Sequence, residues 1–195
     1  VTLVEVDRFG GLSRKGTFTP PCDSDFYSWP NPAFSPKGDI GYAPSFANQM
    51  IFSLDGAGEL ISSRRLPGKP WSLRLSPDGK LLAVSLKQSV AVLRVSESGD
   101  FSLITTLPSS SQIGWDDVAF NDQGTYLYAA SNECETRASL CFLANGAVVT
   151  YDLQGKELDR VSTGGSALSL SRSSTGQLAV IAASNRLALI EPRVR

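Results

Sequence analysis

The chain has 195 residues, 42% of them hydrophobic and only 19% charged, which is enough apolar content for one packed domain or part of one. Eighteen basic and nineteen acidic residues leave a net charge of −1 with no block of like charge, removing the electrostatic footprint of a nucleic-acid or anionic-membrane binder. Histidine is absent, so a Ser-His-Asp triad, a histidine metal cluster and a histidine general base are excluded within this chain. No apolar run approaches the roughly 20 residues that cross a bilayer, and no charged-then-apolar leader opens at Val1, so a soluble chain without a membrane span is expected.

Short alternating segments bounded by Gly and Pro run the length of the sequence, and helix-period patterning is missing. Residues 2–7 and 13–19 read as two strands. One turn signal then recurs: Ser35-Pro36-Lys37-Gly38, Ser76-Pro77-Asp78-Gly79, Asn121-Asp122-Gln123-Gly124 and Ser173-Ser174-Thr175-Gly176. An alternating strand precedes each turn (31–34, 72–75, 117–120, 168–170) and a more continuously apolar one follows (40–43, 81–86, 126–130, 178–183). A third strand ends apolar and usually acidic, at Val6-Asp7, Leu54-Asp55, Val95-Ser96, Tyr151-Asp152 and Ile190-Glu191; a fourth follows in 59–66, 101–107 and 157–161. Four antiparallel strands repeating about every 40–50 residues is the pattern of a β-propeller blade, and a second strand apolar at successive positions suits a sheet covered on both faces.

The expected division is two strands in 1–27, whole blades in 28–68, 69–111 and 112–165, and three strands in 166–195. Joined in one ring, the two ends would give a blade with one strand too many. The expectation is therefore an arc of about four blades from a six- to eight-bladed ring, with a closed four-bladed ring as the alternative. An arc exposes its end sheets, which further blades, a second copy or another subunit would cover.

These residues resemble the WD-repeat and YVTN-type propellers. Val95-Ser96 and the four acid-ended pairs stand where a WD repeat carries Trp-Asp, and Ser76-Pro77-Asp78-Gly79 matches a turn common to both groups. The sequence departs from the WD pattern in lacking that Trp and the Gly-His pair, so the Asp-His-Ser/Thr-Trp network that braces many WD blades is not available.

In such a fold the fourth-to-first and second-to-third connections share one rim, called here the loop rim; the tight turns share the other, the turn rim. The loop rim gathers the candidate residues. Trp29, Trp71 and Trp115 fall near the start of a first strand, where a tryptophan either packs between blades or anchors a ligand. Residues 131–146 insert roughly ten extra positions into a second-to-third connection and read as a long loop carrying Asn132, Glu133, Glu135 and Arg137. Cys134 and Cys141 in that loop are spaced for a disulfide or stand as reduced thiols; a disulfide would imply an extracytoplasmic location. Acids at Asp23, Asp25, Asp116, Asp117, Glu133 and Glu135 read as solvated loop groups or, with Asp25, Asp117 and Glu133 together, as oxygen ligands for Ca²⁺.

Two function classes follow. The first is a non-catalytic scaffold without cofactor, binding a protein or peptide partner through Trp29, Trp71, Trp115, Asn132, Glu133, Glu135 and Arg137. The alternative implied by resemblance is a calcium-dependent lactonase or hydrolase with some catalytic residues outside this segment. A further resemblance, of the last two blades to WD-repeat exchange factors for small GTPases, rests on generic strand positions.

Overall fold

A computed structural model describes residues 2–19, 31–87, 89–108, 114–137, 140–172, 177–182 and 186–190; within its strands, the side chains of 108, 114–116, 133–137, 140–145, 168, 181–182 and 186–190 lie outside that description. The described residues form strands and turns without a helix. A hairpin of β1 (Thr2–Val6) and β2 (Leu12–Thr17) comes first. Three four-stranded sheets follow: β3 (Ala33–Phe34), β4 (Gly41–Ser45), β5 (Met50–Leu54) and β6 (Leu60–Arg65); β7 (Pro70–Leu75), β8 (Leu81–Leu86), β9 (Ser89–Val95) and β10 (Phe101–Pro108); β11 (Gly114–Phe120), β12 (Tyr126–Arg137), β13 (Leu140–Asp152) and β14 (Glu157–Ser162). A three-stranded sheet of β15 (Ala167–Arg172), β16 (Leu178–Ala182) and β17 (Arg186–Ile190) ends the series. Every pairing joins sequence neighbours and is antiparallel.

The sheets of β7 to β10 and β11 to β14 bury both faces, against the sheets before and after them. Along β8 the side chains alternate: Leu82, Val84 and Leu86 pack with Ile40, Tyr42 and Ile51 of the preceding sheet, whereas Ala83 packs with Val118, Leu127 and Val149 of the following one. Strand β9 divides in the same way, with Ala91, Leu93 and Val95 on one side and Val90 and Val92 on the other. A third cluster joins Ala119, Tyr128, Ala130 and Val148 to Ala167, Leu170 and Val180. Both-face burial is why these strands are continuously apolar. The first strands β3, β7, β11 and β15 lie against one another at the centre, and the fourth strands β6 and β14 are largely exposed.

The hairpin of β1 and β2 leans on the next sheet, with the Phe18 and Phe52 rings 5.1 Å apart. Among the described strands none links β17 to this hairpin, so the sheets form an open arc of propeller blades rather than the closed four-bladed ring.

The recurrent turns close by local hydrogen bonds. The amides of Gly38, Gly79 and Gly124 donate to the carbonyls of Ser35, Ser76 and Asn121, while Ser35 Oγ, Ser76 Oγ and Asn121 Oδ1 accept from Ile40, Leu81 and Tyr126. The acid after each third strand has an equally local job. Asp7, Asp55 and Asp152 each use Oδ1 to accept two backbone amides of the turn that follows, and the Ser96 hydroxyl accepts the Asp100 amide. These are Asx-type caps, in which a short side chain substitutes for a backbone acceptor. At these four positions the signature aligned with the WD dipeptide is thus satisfied within its own turn, Glu191 lying outside the described residues.

Gly79 meets two constraints at once: its φ is +72°, and an added Cβ would lie 2.6 Å from Pro36 Cδ in the neighbouring sheet's turn. Gly38 has φ +75° but open space around it. Gly38→Ala is therefore expected to lose about 1–2 kcal/mol, the cost of left-handed backbone alone, and Gly79→Ala to lose more. Urea unfolding of the two variants checks the order.

Candidate functional site

The most connected polar group among the described residues is Asp117, on the central strand β11 and 3% exposed. Its Oδ1 accepts the Ser72 hydroxyl of β7 at 2.6 Å and the Val118 amide at 2.9 Å. Its Oδ2 accepts the Leu170 amide at 3.0 Å and the Ser169 hydroxyl at 3.2 Å, both on β15, and Arg74 Nη2 of β7 at 3.1 Å. One carboxylate therefore ties the central strands of three successive sheets. Ser72, Asp117 and Ser169 each stand four residues before the first residue of their tight turn, so they occupy one level around the arc. With five donors on its two oxygens, Asp117 braces the three sheets. A Ca²⁺ ion would have to displace these bonds.

Asn132 is held in a comparable way. It is fully buried; its side-chain amide donates to the Ala167 carbonyl at 2.8 Å, and its Oδ1 accepts the Ala167 amide at 2.6 Å. An amide side chain thus imitates a strand partner and clamps β12 to β15. Gly146, opposite Asn132 in the ladder, permits this approach: a Cβ there would lie 2.1 Å from the Gly165 carbonyl oxygen and 2.4 Å from the Ala167 nitrogen.

The inserted segment is a ribbon instead of a loop. β12 and β13 stay paired beyond the blade from Asn132↔Gly146 to Arg137↔Leu140, with a register shift between Asn132 and Cys134. Glu133, Glu135 and Arg137 therefore lie on the β12 limb, their side chains outside those described. Cys134 pairs in register with Leu143 and Cys141 with Thr136, two rungs apart rather than opposite; the disulfide assignment itself concerns side chains outside the description. Asp25 and Trp29 fall outside the described residues. Trp115 is on β11 opposite Ser131, its side chain likewise undescribed.

Trp71 is the fully described member of the tryptophan set. At the loop-rim end of β7, it is 42% exposed and meets the Phe46 ring edge-on, with centroids 5.1 Å apart at 72°. Phe46 comes from the β4–β5 connection of the preceding sheet, and Lys69 Nζ sits 4.8 Å over its other contact surface. Arg65, Lys69 and Lys87 are exposed at this end of the second and third sheets, and the described rim residues there (46–50, 65–71, 86–87) include no carboxylate. The half-exposed indole is thus held against a second ring, with cations nearby.

The opposite rim carries a cavity of about 340 Å³ between β7, β11 and β15, lined in part by Arg74, Ala119, Phe120, Ser171 and Arg172. Both guanidinium groups are already engaged, Arg74 by Asp117 and Arg172 by Asp122. On this rim Asp78 has its carboxyl held below the usual carboxylate range, chiefly by the Ser76 hydroxyl donating to it at 2.6 Å. A carboxyl lowered on folding stabilises the fold above its unfolded value near 3.9, and that contribution is lost as pH falls through the lower folded value.

Ser72, Arg74, Ser169 and Phe46 were not among the residues singled out from sequence. The shared offset from the turns was the available signal for the two serines; nothing local marks Arg74 or Phe46.

No protein-family profile matches the chain, and no curated protein matches it in sequence. Similarity appears in solved structures. A 6-phosphogluconolactonase-like protein from Bacteroides uniformis superposes with a TM-score of 0.72 at 16% identity, covering 98% of this chain and 60% of that one. A second such protein, from Bacteroides fragilis, gives 0.71 at 17% identity, covering 97% and 60%. The β-propeller domain of Cps50 (Swd1) from Myceliophthora thermophila gives 0.71 at 14%, covering 98% and 64%. The likeness is one of fold, that of a β-propeller, and the chain spans about 60% of the length of the first two.

Removing the brace provides the test of its role. Asp117→Ala leaves the Ser72 and Ser169 hydroxyls, the Leu170 amide and Arg74 without their acceptor, and is expected to lower unfolding free energy by about 3 kcal/mol or more. Glu97→Ala, at an exposed acid, is expected in contrast to leave stability nearly unchanged. Equilibrium denaturation of both variants measures the difference.

Proposed function

We propose that the chain is a non-catalytic propeller arc that binds a protein or peptide partner through its loop rim, with Trp71 as the central anchor. The supporting observation is the half-exposed Trp71 braced by Phe46 inside a collar of Arg65, Lys69 and Lys87. Exposed aromatics of this kind dominate binding energy at interfaces, and a surrounding single-sign collar orients the approach. The partner that fits presents an apolar or aromatic side chain flanked by carboxylates. Trp29 and Trp115 and the ribbon residues Glu133, Glu135 and Arg137 extend the same rim in this proposal.

The experiment places a photo-crosslinking group at Lys69 in the full chain, identifies the captured protein, and titrates it against Trp71→Ala. A weakening of about 30-fold, equivalent to roughly 2 kcal/mol, is expected for a hot-spot tryptophan, together with affinity that falls as salt rises. Unchanged affinity in a folded Trp71→Ala protein rejects the anchor.

A second reading has a specific support in the cavity beside Arg74 and Arg172 and in the fold shared with 6-phosphogluconolactonase-like proteins. In that reading the chain contributes part of a lactonase-type site, and carboxylates other than Asp117 hold any calcium. Calcium titration followed by thermal unfolding separates the two: the scaffold reading expects an unchanged midpoint at millimolar Ca²⁺, whereas a specific ion raises it. A nucleotide-release assay on small GTPases tests the exchange-factor reading.

A further inference from the structure

One backbone position on the loop rim is held against its preference. Gln49 has a φ of +54°, and the other positive-φ positions among the described residues are all glycine. The connection explains the angle. The Ser45↔Met50 rung leaves only Phe46 to Gln49 to reverse the chain, and the Gln49 amide turns back to donate to the Phe46 carbonyl at 3.4 Å. Short reversals of this kind commonly end on a left-handed residue, a place that glycine takes without steric cost and asparagine at little. Glutamine has neither glycine's freedom nor the short reach with which asparagine bonds its own turn.

The Gln49 side chain is also uncommitted. Its carbonyl accepts the Leu66 amide at 2.7 Å, one bond beyond the Met50↔Arg65 rung, so the residue stands between Arg65 and the turn that carries Phe46. The residue is half-buried, and no described residue hydrogen-bonds its carboxamide. Asn132 shows what such a group does when engaged: its carboxamide takes both backbone groups of Ala167, at 2.8 and 2.6 Å. Backbone held in a sparsely populated region clusters at sites where the displayed side chain has a use.

We infer that Gln49 is a specificity residue of the Trp71 surface, its carboxamide pairing with the backbone of an extended acidic peptide by donating to a carbonyl and accepting an amide. The inference rests on the partner-binding reading of the loop rim and adds to it the form of the partner. Arg65, Lys69 and Lys87, with no carboxylate among the described residues of that rim segment, complement a peptide of negative charge. The Trp71 and Phe46 rings take one of its apolar side chains, and a backbone contact fixes its register. A folded partner uses its backbone groups in its own secondary structure, whereas an extended peptide leaves them free for a carboxamide to read.

The test selects peptides on the full chain from a random display library and titrates the strongest against the parent, Trp71→Ala, Gln49→Gly and Gln49→Ala. Gln49→Gly relieves the left-handed backbone and Gln49→Ala keeps it, so a loss common to both belongs to the carboxamide and not to the shape of the turn. The expected peptide carries an apolar or aromatic residue flanked by Asp or Glu and binds each Gln49 variant about fivefold more weakly, the scale of one hydrogen-bonded contact. Versions of the peptide N-methylated at one backbone position at a time supply a readout that a structural role would not move: one methylation weakens binding to the parent and has no further effect on Gln49→Gly. Full affinity in both folded Gln49 variants, a loss confined to one of them, or a methylation series that costs the variants as much as the parent overturns the inference; weakening in Trp71→Ala then leaves the rim reading standing. Failure to select any peptide, or selection of one that Trp71→Ala binds at full strength, overturns the rim reading and the inference with it.

Discussion

A carboxylate removed from water persists in a fold only when its charge and lone pairs are met, and at Asp117 they are met from three sheets at once. Ser72 and Arg74 approach from one neighbour, Ser169 and Leu170 from the other. Displacing either neighbouring sheet along its strand direction would leave that charge uncompensated in the interior, so the bonds hold the central strands at a common level. WD-type propellers reach a similar end with a histidine-containing network; this chain, without histidine, uses hydroxyls, a guanidinium and a backbone amide. Asn132 repeats the tactic at the other end of the same strands, its amide taking both hydrogen-bonding groups of Ala167.

Around this brace the sheets are otherwise held by apolar contact on both faces, and that shaped what could be read from sequence. Consecutive burial of Leu82, Ala83 and Val84 produces an unbroken apolar run, and the Ser76 and Asn121 turns punctuate it, so strand order and blade pattern were legible. Contacts between distant residues were not. Asp117 follows a loop and adjoins Asp116, and so looks like one of several rim acids; its partners are 43 to 53 positions away. Residues 131–146 exceed the usual length of a connection and mix charged with apolar groups, which reads as a loop, whereas their pairing continues the blade's own ladder. Trp71 carried a usable signal because large apolar groups at a first-strand start must either be covered or serve a purpose, but only the placement of Phe46 shows which.

The two rims have correspondingly different characters. On the turn rim the acids Asp7, Asp55 and Asp152 accept amides of their own turns, and Asp78 is held by Ser76, so their charge is structural. On the loop rim Arg65, Lys69 and Lys87 near Trp71 are exposed cations, Lys69 lying over the Phe46 ring. Polar groups committed to local geometry are poor recognition elements, since using them elsewhere means breaking a turn; groups free of such duties are available to a ligand.

The serial stacking of sheets has a mechanical consequence. Each sheet leans on its sequence neighbours, as in a row of magnets held only by those beside them, so stability is expected to pass from sheet to sheet. The sheet of β7 to β10, packed on both faces against described four-stranded sheets, is then expected to retain its amide protons longest among the described sheets.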